Sequence, residues 1–187
     1  SDLETISLET LMPDGKVLQA GTVHNLGRHF SKPMGIEFLD EKNQKRNPHQ
    51  TSWGVSTRLI GGVVMSHGDN KGLVLPAELA PVQIVIIPIL FKNKEKAVLD
   101  ACEKVRIKLE NAGFSVKLDS ADKRPGEKHY YWELMGAPVR IEIGPRDIEN
   151  RKAVIVSRID EEKTVIDAKD LLNEVEAKIE ALDSRLA

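Results

Sequence analysis

The chain of 187 residues has one cysteine, Cys102. A single thiol rules out a disulfide within the chain and a cysteine-rich zinc site. It fits a reducing compartment. No apolar run approaches the roughly 20 residues that a membrane span needs. The first residues lack the basic-then-apolar layout of a signal peptide, so a cytoplasmic location and no membrane partner are expected. Charge of one sign is also missing: the formal net charge is −2. Bulk charge therefore does not mark a nucleic-acid partner, although a local basic cluster can still bind one. There is no phosphate loop or dinucleotide fingerprint, no internal repeat and no low-complexity tract. The length leaves one or two domains open.

What is present divides near residues 75–81, where Pro76 and Pro81 bracket Glu78. Both prolines oppose a continuous helix. This stretch reads as a linker between units 1–78 and 79–187. In the first unit, strands are predicted over 6–12 and 16–25, joined by the turn Pro13-Asp14-Gly15. A short helix over 28–34 would end at Gly35. A strand end at 36–39, a polar loop at 40–49, a strand at 50–57 and an apolar helix at 58–67 follow. This is an antiparallel-sheet layout with few apolar residues for a core of its own, as expected of part of a domain.

In the second unit, residues 82–90 form a nearly unbroken β-branched run, which suits a strand buried on both faces of a parallel sheet. Val98, Cys102, Val105 and Leu109 recur at helical spacing over 93–111, with Gly113 as the stop. Strands at 114–118, 139–143 and 153–159, a helix at 127–135 and an amphipathic helix at 167–186 complete the order β-α-β-α-β-β-α. That order predicts a mixed sheet with helices packed against it. The fold class is thus α+β for the first unit and α/β for the second.

Several residue groups suggest chemistry. On a strand, Thr22 and His24 point to one face. Ser52, Gly54 and Ser56 share a face and leave room for something to lie against the sheet, with Trp53 as a flat wall on the other face or its edge. Arg58 falls at the start of a helix, where the dipole favours anions over cations. A planar guanidinium there suits a phosphate or carboxylate, and a solvated surface arginine is the plain alternative. The run Met65-Ser66-His67-Gly68-Asp69 through Gly72 reads on composition as a loop that ends a helix.

The blocks Met12-Pro13-Asp14-Gly15, Leu18-Gln19 with Gly21-Thr22, His24 and Leu26-Gly27, and Thr51-Ser52-Trp53-Gly54 through His67-Gly68-Asp69, Gly72 and Leu73-Val74-Leu75-Pro76 resemble prolyl-tRNA synthetases of the archaeal and eukaryotic type. Those are class II aminoacyl-tRNA synthetases with an antiparallel-sheet catalytic domain. The resemblance implies ATP and Mg2+ as cofactors, and proline and tRNA(Pro) as partners. It implies homodimerisation of the full-length enzyme. Arg58 matches the ATP arginine of the third signature motif and is the implied catalytic residue. Gln19, Thr22 and Ser56 match positions beside the nucleotide. His24, with Trp53 and Gly54, matches the proline pocket. No first or second signature motif is found, so about half of an active site is expected and no activation by this chain alone. The cysteine-containing C-terminal domain of many relatives is also missing.

The second unit resembles the anticodon-binding domain of a class II subgroup through Lys123-Arg124-Pro125-Gly126-Glu127-Lys128, Trp132-Glu133 and Gly144-Pro145-Arg146-Asp147. Arg124, Lys128, Glu133 and Arg146 are its candidate tRNA-binding residues, with no metal ligands. Lys123, Arg124 and Lys128 form a basic cluster at a helix start. Arg146 suits a guanine edge, and proline anticodons contain two guanines. A solvated charged loop is the alternative for the cluster. A non-catalytic RNA-binding module derived from a synthetase is the alternative for the chain.

Overall fold

The structure, a computed structural model, describes residues 3–160 and 162–186. The chain forms two compact units, one ending at Ser66 and the other beginning at His67. The outermost residues of the two predicted units, 1–2 and 187, lie outside the described residues.

In the first unit, β1 (Glu4–Leu11), β2 (Val17–Gly27) and β5 (Gln50–Val55) form an antiparallel sheet in the order β1-β2-β5. The two-residue strands β3 (Phe38–Leu39) and β4 (Lys45–Arg46) pair separately within the stretch read as loop. Helix α1 is Arg58–His67 and buries none of its residues. The helix predicted over 28–34 does not form. Lys32 N donates to Arg28 O and Met34 N to Phe30 O. Between them, Pro33 has no N–H to supply the middle bond of the ladder. The result is a series of turns closed by Gly35 at φ 66°.

In the second unit, five strands order as β10-β9-β8-β6-β7. They are β6 (Ile84–Pro88), β7 (Val116–Leu118), β8 (Val139–Ile143), β9 (Lys152–Ser157) and β10 (Thr164–Asp167). β6 is parallel to β7 and β8, whereas β9 and β10 are antiparallel, so the sheet is mixed as expected. The helices are α2 (Glu95–Asn111), α3 (Pro125–Leu134), α4 (Pro145–Asn150) and α5 (Leu171–Leu186). Both α4 and β10 are additions to the predicted order. α4 is only six residues long, started by Pro145 and by Asp147 Oδ2 accepting Gly144 N at 2.8 Å.

The apolar run predicted for β6 is fully buried from Ile84 to Ile87. Each such side chain contributes about 1.5–3 kcal/mol on leaving water. Alternation divides the sheet. Ile84, Ile86, Val139 and Ile141 join Val98, Cys102 and Leu109 of α2 and Val175 of α5 in the main core. Val85 and Ile87 face the other way, in a much smaller cluster with Ala137 and Trp132. The face that carries α3 is thus thinly covered. By register it also carries Arg140, opposite Val85, and Glu142, opposite Ile87.

Candidate functional site

In the first unit the register gathers the predicted residues. Thr22 pairs with Gly54 and His24 with Ser52 across β2 and β5, while Thr5 and Ser7 of β1 oppose His24 and Thr22. These six residues form a polar face. Strict alternation would put Gln19 on the opposite face from Thr22. A bulge shifts the register between Leu8 and Glu9, so that Leu8 opposes Gly21 and Glu9 opposes Gln19. A bulge inserts one residue and re-aims the side chain beside it. Gln19 Nε2 consequently donates to Ser7 Oγ at 3.3 Å, on the polar face.

Arg58 Nη1 reaches back from α1 to Gln19 O at 3.3 Å and to Gln19 Oε1 at 3.1 Å. Ser56 Oγ accepts the Arg58 backbone N–H at 3.3 Å, as a cap at the helix start. The His24 ring lies between two hydroxyls, with Nδ1 3.0 Å from Thr5 Oγ1 and Nε2 3.1 Å from Thr22 Oγ1. Gln19, Thr22, His24, Gly54, Ser56 and Arg58 all line one open groove of about 330 Å³. Gly54 leaves open space where a Cβ would stand.

Trp53 is oriented differently from that group. It pairs with Val23, and its ring belongs to the opposite face, with Ile6, Leu8, Val23 and Val55. It is 77% exposed. Trp53 nevertheless borders the same groove as His24 and Gly54, although alternation gives its ring the other side of the sheet. A single step along a strand reverses the side chain.

In the second unit the predicted basic cluster also splits. Arg124 caps α3, with its backbone N donating to Glu127 Oε2 at 3.1 Å, and its side chain is exposed. Lys128 is 3% exposed. Its Nζ donates to Asp119 O at 2.8 Å and lies 3.7 Å from Asp119 Oδ1. It is a buried anchor and not an RNA-facing cation, which corrects the sequence expectation. Trp132, one turn further on, donates from Nε1 to Asp119 Oδ2 at 2.8 Å. Lys128 and Trp132 thus act as an i,i+4 pair that fastens α3 to the loop after β7.

Arg146 is exposed at the start of α4, and Asn150 Nδ2 donates to its carbonyl at 2.8 Å. Because β6, β7 and β8 are parallel, the segments leading into α2, α3 and α4 all emerge at the same end of the sheet. Lys92, Lys94, Lys123, Arg124 and Arg146 therefore collect at the carboxyl ends of these strands. The chain reverses its direction of travel across the sheet there, with β7 on one side of β6 and β8 on the other. Ligands of open α/β sheets bind at such a point. A cleft of about 620 Å³ opens there, lined by Phe91, Lys92, Lys94, Arg146 and Glu149 among others. Lys94 Nζ pairs with Glu149 Oε1 at 2.6 Å, and that contact holds the Glu149 carboxyl below its ordinary range.

Sequence reasoning missed Arg140. It lies buried on the thinly covered face, with Nη1 donating to Glu133 Oε1 at 3.0 Å and Nε to Glu142 Oε1 at 3.1 Å. Lys163 Nζ donates to Glu142 Oε2 at 2.8 Å. Burial works to raise the Glu142 pKa, but the Lys163 hydrogen bond and the charges of His129, Lys163 and Arg140 outweigh it and hold the carboxyl below its ordinary value. His129 Nε2 lies 3.2 Å from Glu142 Oε1 without an aligned hydrogen bond. Burial, aided by Arg140 and Lys163, lowers the His129 pKa. Glu133, a predicted site residue, uses one carboxylate oxygen on Arg140. The other takes no partner among the described residues. The available signal was alternation itself: Arg140 and Glu142 sit at i and i+2 of a strand whose neighbour is apolar on both faces.

Among the described residues, no helix is long and apolar enough to cross a membrane. No group of His, Cys, Asp and Glu side chains there is placed to hold a metal ion.

Comparison with known proteins adds sequence relationships. The family model described as "Anticodon binding domain" matches residues 83–178. A proline–tRNA ligase of Methanococcus aeolicus is 47% identical over 182 residues, covering 97% of this chain and 40% of that protein. A proline–tRNA ligase of Methanococcoides burtonii is 48% identical over 182 residues, covering 97% of this chain and 38% of that protein. One of Alkaliphilus oremlandii is 48% identical over 183 residues, again covering 97% and 38%. The chain thus spans about two fifths of the length of these curated relatives.

Proposed function

Because this chain belongs to the anticodon-binding domain family, we propose that it works within a prolyl-tRNA synthetase, which attaches L-proline to tRNA(Pro) through prolyl-adenylate at the expense of ATP. The observation that carries this reading is the extent of the likeness. Identity to proline–tRNA ligases runs through 97% of the chain, hence through both units and not the anticodon unit alone. A synthetase-derived RNA module without chemistry has no use for the Gln19–Arg58 groove.

In this reading the sheet β1-β2-β5 is part of a class II antiparallel catalytic sheet. ATP supplies the electrophilic α-phosphorus that the proline carboxylate attacks as pyrophosphate leaves. Arg58, held by Gln19 at the groove, offsets the negative charge of the phosphates. Thr22, Gln19 and Ser56 line the nucleotide side, and His24, fixed between Thr5 and Thr22, lines the proline side with Gly54. The groove offers no carboxylate set for Mg2+ among the described residues, so no step is assigned to that ion.

In the second unit, Arg124 and Arg146 meet tRNA at the carboxyl ends of the parallel strands. The Glu133–Arg140 pair presents an acceptor beside a donor. That arrangement matches guanine, which carries N1–H and N2–H donors beside the O6 acceptor. Splayed loop bases are read along such edges.

Two measurements test this. Arg146→Ala should weaken binding of a tRNA(Pro) transcript about tenfold and lower the salt slope by about one; an unchanged dissociation constant at fixed salt refutes the assignment. The 187-residue chain should give no proline-dependent ATP–pyrophosphate exchange, because its catalytic sheet has three strands with both faces largely exposed. Exchange above background would overturn the expectation that this chain holds only part of the active site.

A further inference from the structure

The stretch from Asp69 to Leu73 reads on composition as an ordinary loop, but within the second unit it is fastened to the body of the sheet and helices at four points. Arg158, whose side chain is 1% exposed, donates from Nη2 to Asp69 Oδ1 at 2.6 Å and from Nη1 to Asp69 Oδ2 at 2.9 Å. Leu73 N donates to Leu134 O at 3.1 Å. Gly72, at φ 142°, has no room for a Cβ, which would overlap Leu134 Cα and O. Gly136, at φ 74°, faces Leu73 in the same way. The loop and the last turn of α3 therefore approach backbone to backbone.

Arg158 also makes a third contact: its Nε donates to the carbonyl of Glu133 at 3.1 Å. From there the contacts continue without a gap. Glu133 Oε1 takes Arg140 Nη1, Arg140 Nε meets Glu142 Oε1, and Glu142 Oε2 takes Lys163 Nζ. A bidentate arginine–carboxylate pair fixes direction as well as distance. Asp69 thus sets the plane of the Arg158 guanidinium, and that plane sets where the Glu133 main chain stands.

We propose that Asp69 and Arg158 are positioning residues for anticodon recognition: through the Glu133 carbonyl they hold the Glu133–Arg140 pair in register for a guanine edge. This rests on the reading of that pair as a base-reading element. Neither residue touches RNA in this scheme. Arg158 is buried beneath the last turn of α3, and the Asp69 carboxylate is occupied by Arg158.

The test uses the full 187-residue chain and two transcripts, tRNA(Pro) and the same tRNA with its anticodon guanines replaced by adenine. Dissociation constants are measured at one salt concentration. Wild type should prefer the guanine anticodon. Asp69→Asn, which keeps size and removes the charge, should reduce that preference by about fivefold or more while leaving affinity for the adenine transcript within about twofold. Arg158→Lys, which keeps charge and loses the fork, should do the same. Asp69→Glu, which retains a carboxylate, should recover part of the preference. A merely structural tie would lower the melting temperature and leave the preference ratio unchanged, and that result in folded Asp69→Asn overturns the proposal. Wild type with no preference overturns the reading of the Glu133–Arg140 pair and the proposal together. A wild-type preference that persists in both variants overturns the proposal alone.

Discussion

Replacing Lys128 by methionine separates the two roles its neighbourhood suggests. On sequence, Lys128 belongs to a basic cluster that faces RNA. In the structure it lies under α3, with Nζ on the Asp119 carbonyl at 2.8 Å and near the Asp119 carboxylate. Methionine keeps the length and the apolar stem, so packing changes little. What is lost is a charge-assisted hydrogen bond and the counterion of a nearly buried carboxylate. The carboxylate keeps Trp132 Nε1 and Ala121 N as donors, which limits the damage. The expected loss is about 2–3 kcal/mol, below the roughly 3–5 kcal/mol seen when a buried pair is left with an uncompensated charge. In urea unfolding, with m of about 1–3 kcal/mol per molar, the midpoint should fall by roughly 1–2 M. At temperatures where the variant is folded, its affinity for tRNA and the salt slope should match wild type. A stability loss below about 0.5 kcal/mol, with a salt slope reduced by about one, would show a phosphate ligand and refute the burial argument.

Gly136→Ala should destabilise by about 1–3 kcal/mol, because it combines a left-handed backbone with a Cβ driven against Leu73; Gly113→Ala, with open space around it, should cost only the backbone strain of about 1–2 kcal/mol, and thermal melts of the two compare them. Burial pushes the Cys102 thiol up to about 12. A thiol reagent should therefore leave it unmodified in the native state and titrate it fully in denaturant. The unfolded thiol ionises near 9, so its contribution to stability is full below that pH and declines above it, and Cys102→Ala should flatten that alkaline decline.

Much of the second unit was legible because its signals were long. The β6 run, the spacing of α2 and its glycine stop each gave an element. The elements that escaped are short. β10 is four residues behind a charged loop, and α4 is held by one proline and one capping aspartate. Neither is long enough to show a period. In the first unit, sequence pattern showed the strands but not the bulge, and the bulge is what puts Gln19 on the same face as Thr22. Trp53 was ambiguous for the opposite reason. Its neighbours Ser52 and Gly54 form the groove floor and Trp53 borders it, yet alternation gives the ring the other side of the sheet. Lys128 was misread because a basic run looks the same in sequence whether its members face solvent or a carbonyl. Its spacing of four from Trp132 was the clue that both side chains share the inward face of α3.

Two prolines suggested a linker and a division at 78/79, but a proline excludes helix and not packing. Within 67–80, Val74, Ala77 and Ala80 are buried. Ala77 N donates to Asp183 Oδ1 at 2.9 Å, and Gln83 Nε2 donates to Ala77 O at 3.0 Å. Together with Asp69–Arg158, these contacts make the segment part of the second unit, as the division between Ser66 and His67 reflects. An anticodon unit cut to begin at residue 79 would take the Asp69 carboxylate away from the buried Arg158 guanidinium. Because Asp69 itself is 45% exposed, the loss falls toward the low end of a broken buried pair, about 2–3 kcal/mol, with the uncovered apolar contacts adding to it. A piece beginning at residue 67 should therefore unfold cooperatively at a clearly higher urea concentration than one beginning at residue 79. Equal midpoints for the two pieces would mean that the segment rests on the sheet without supporting it, and the case for Asp69 as the anchor of Glu133 would fall with it.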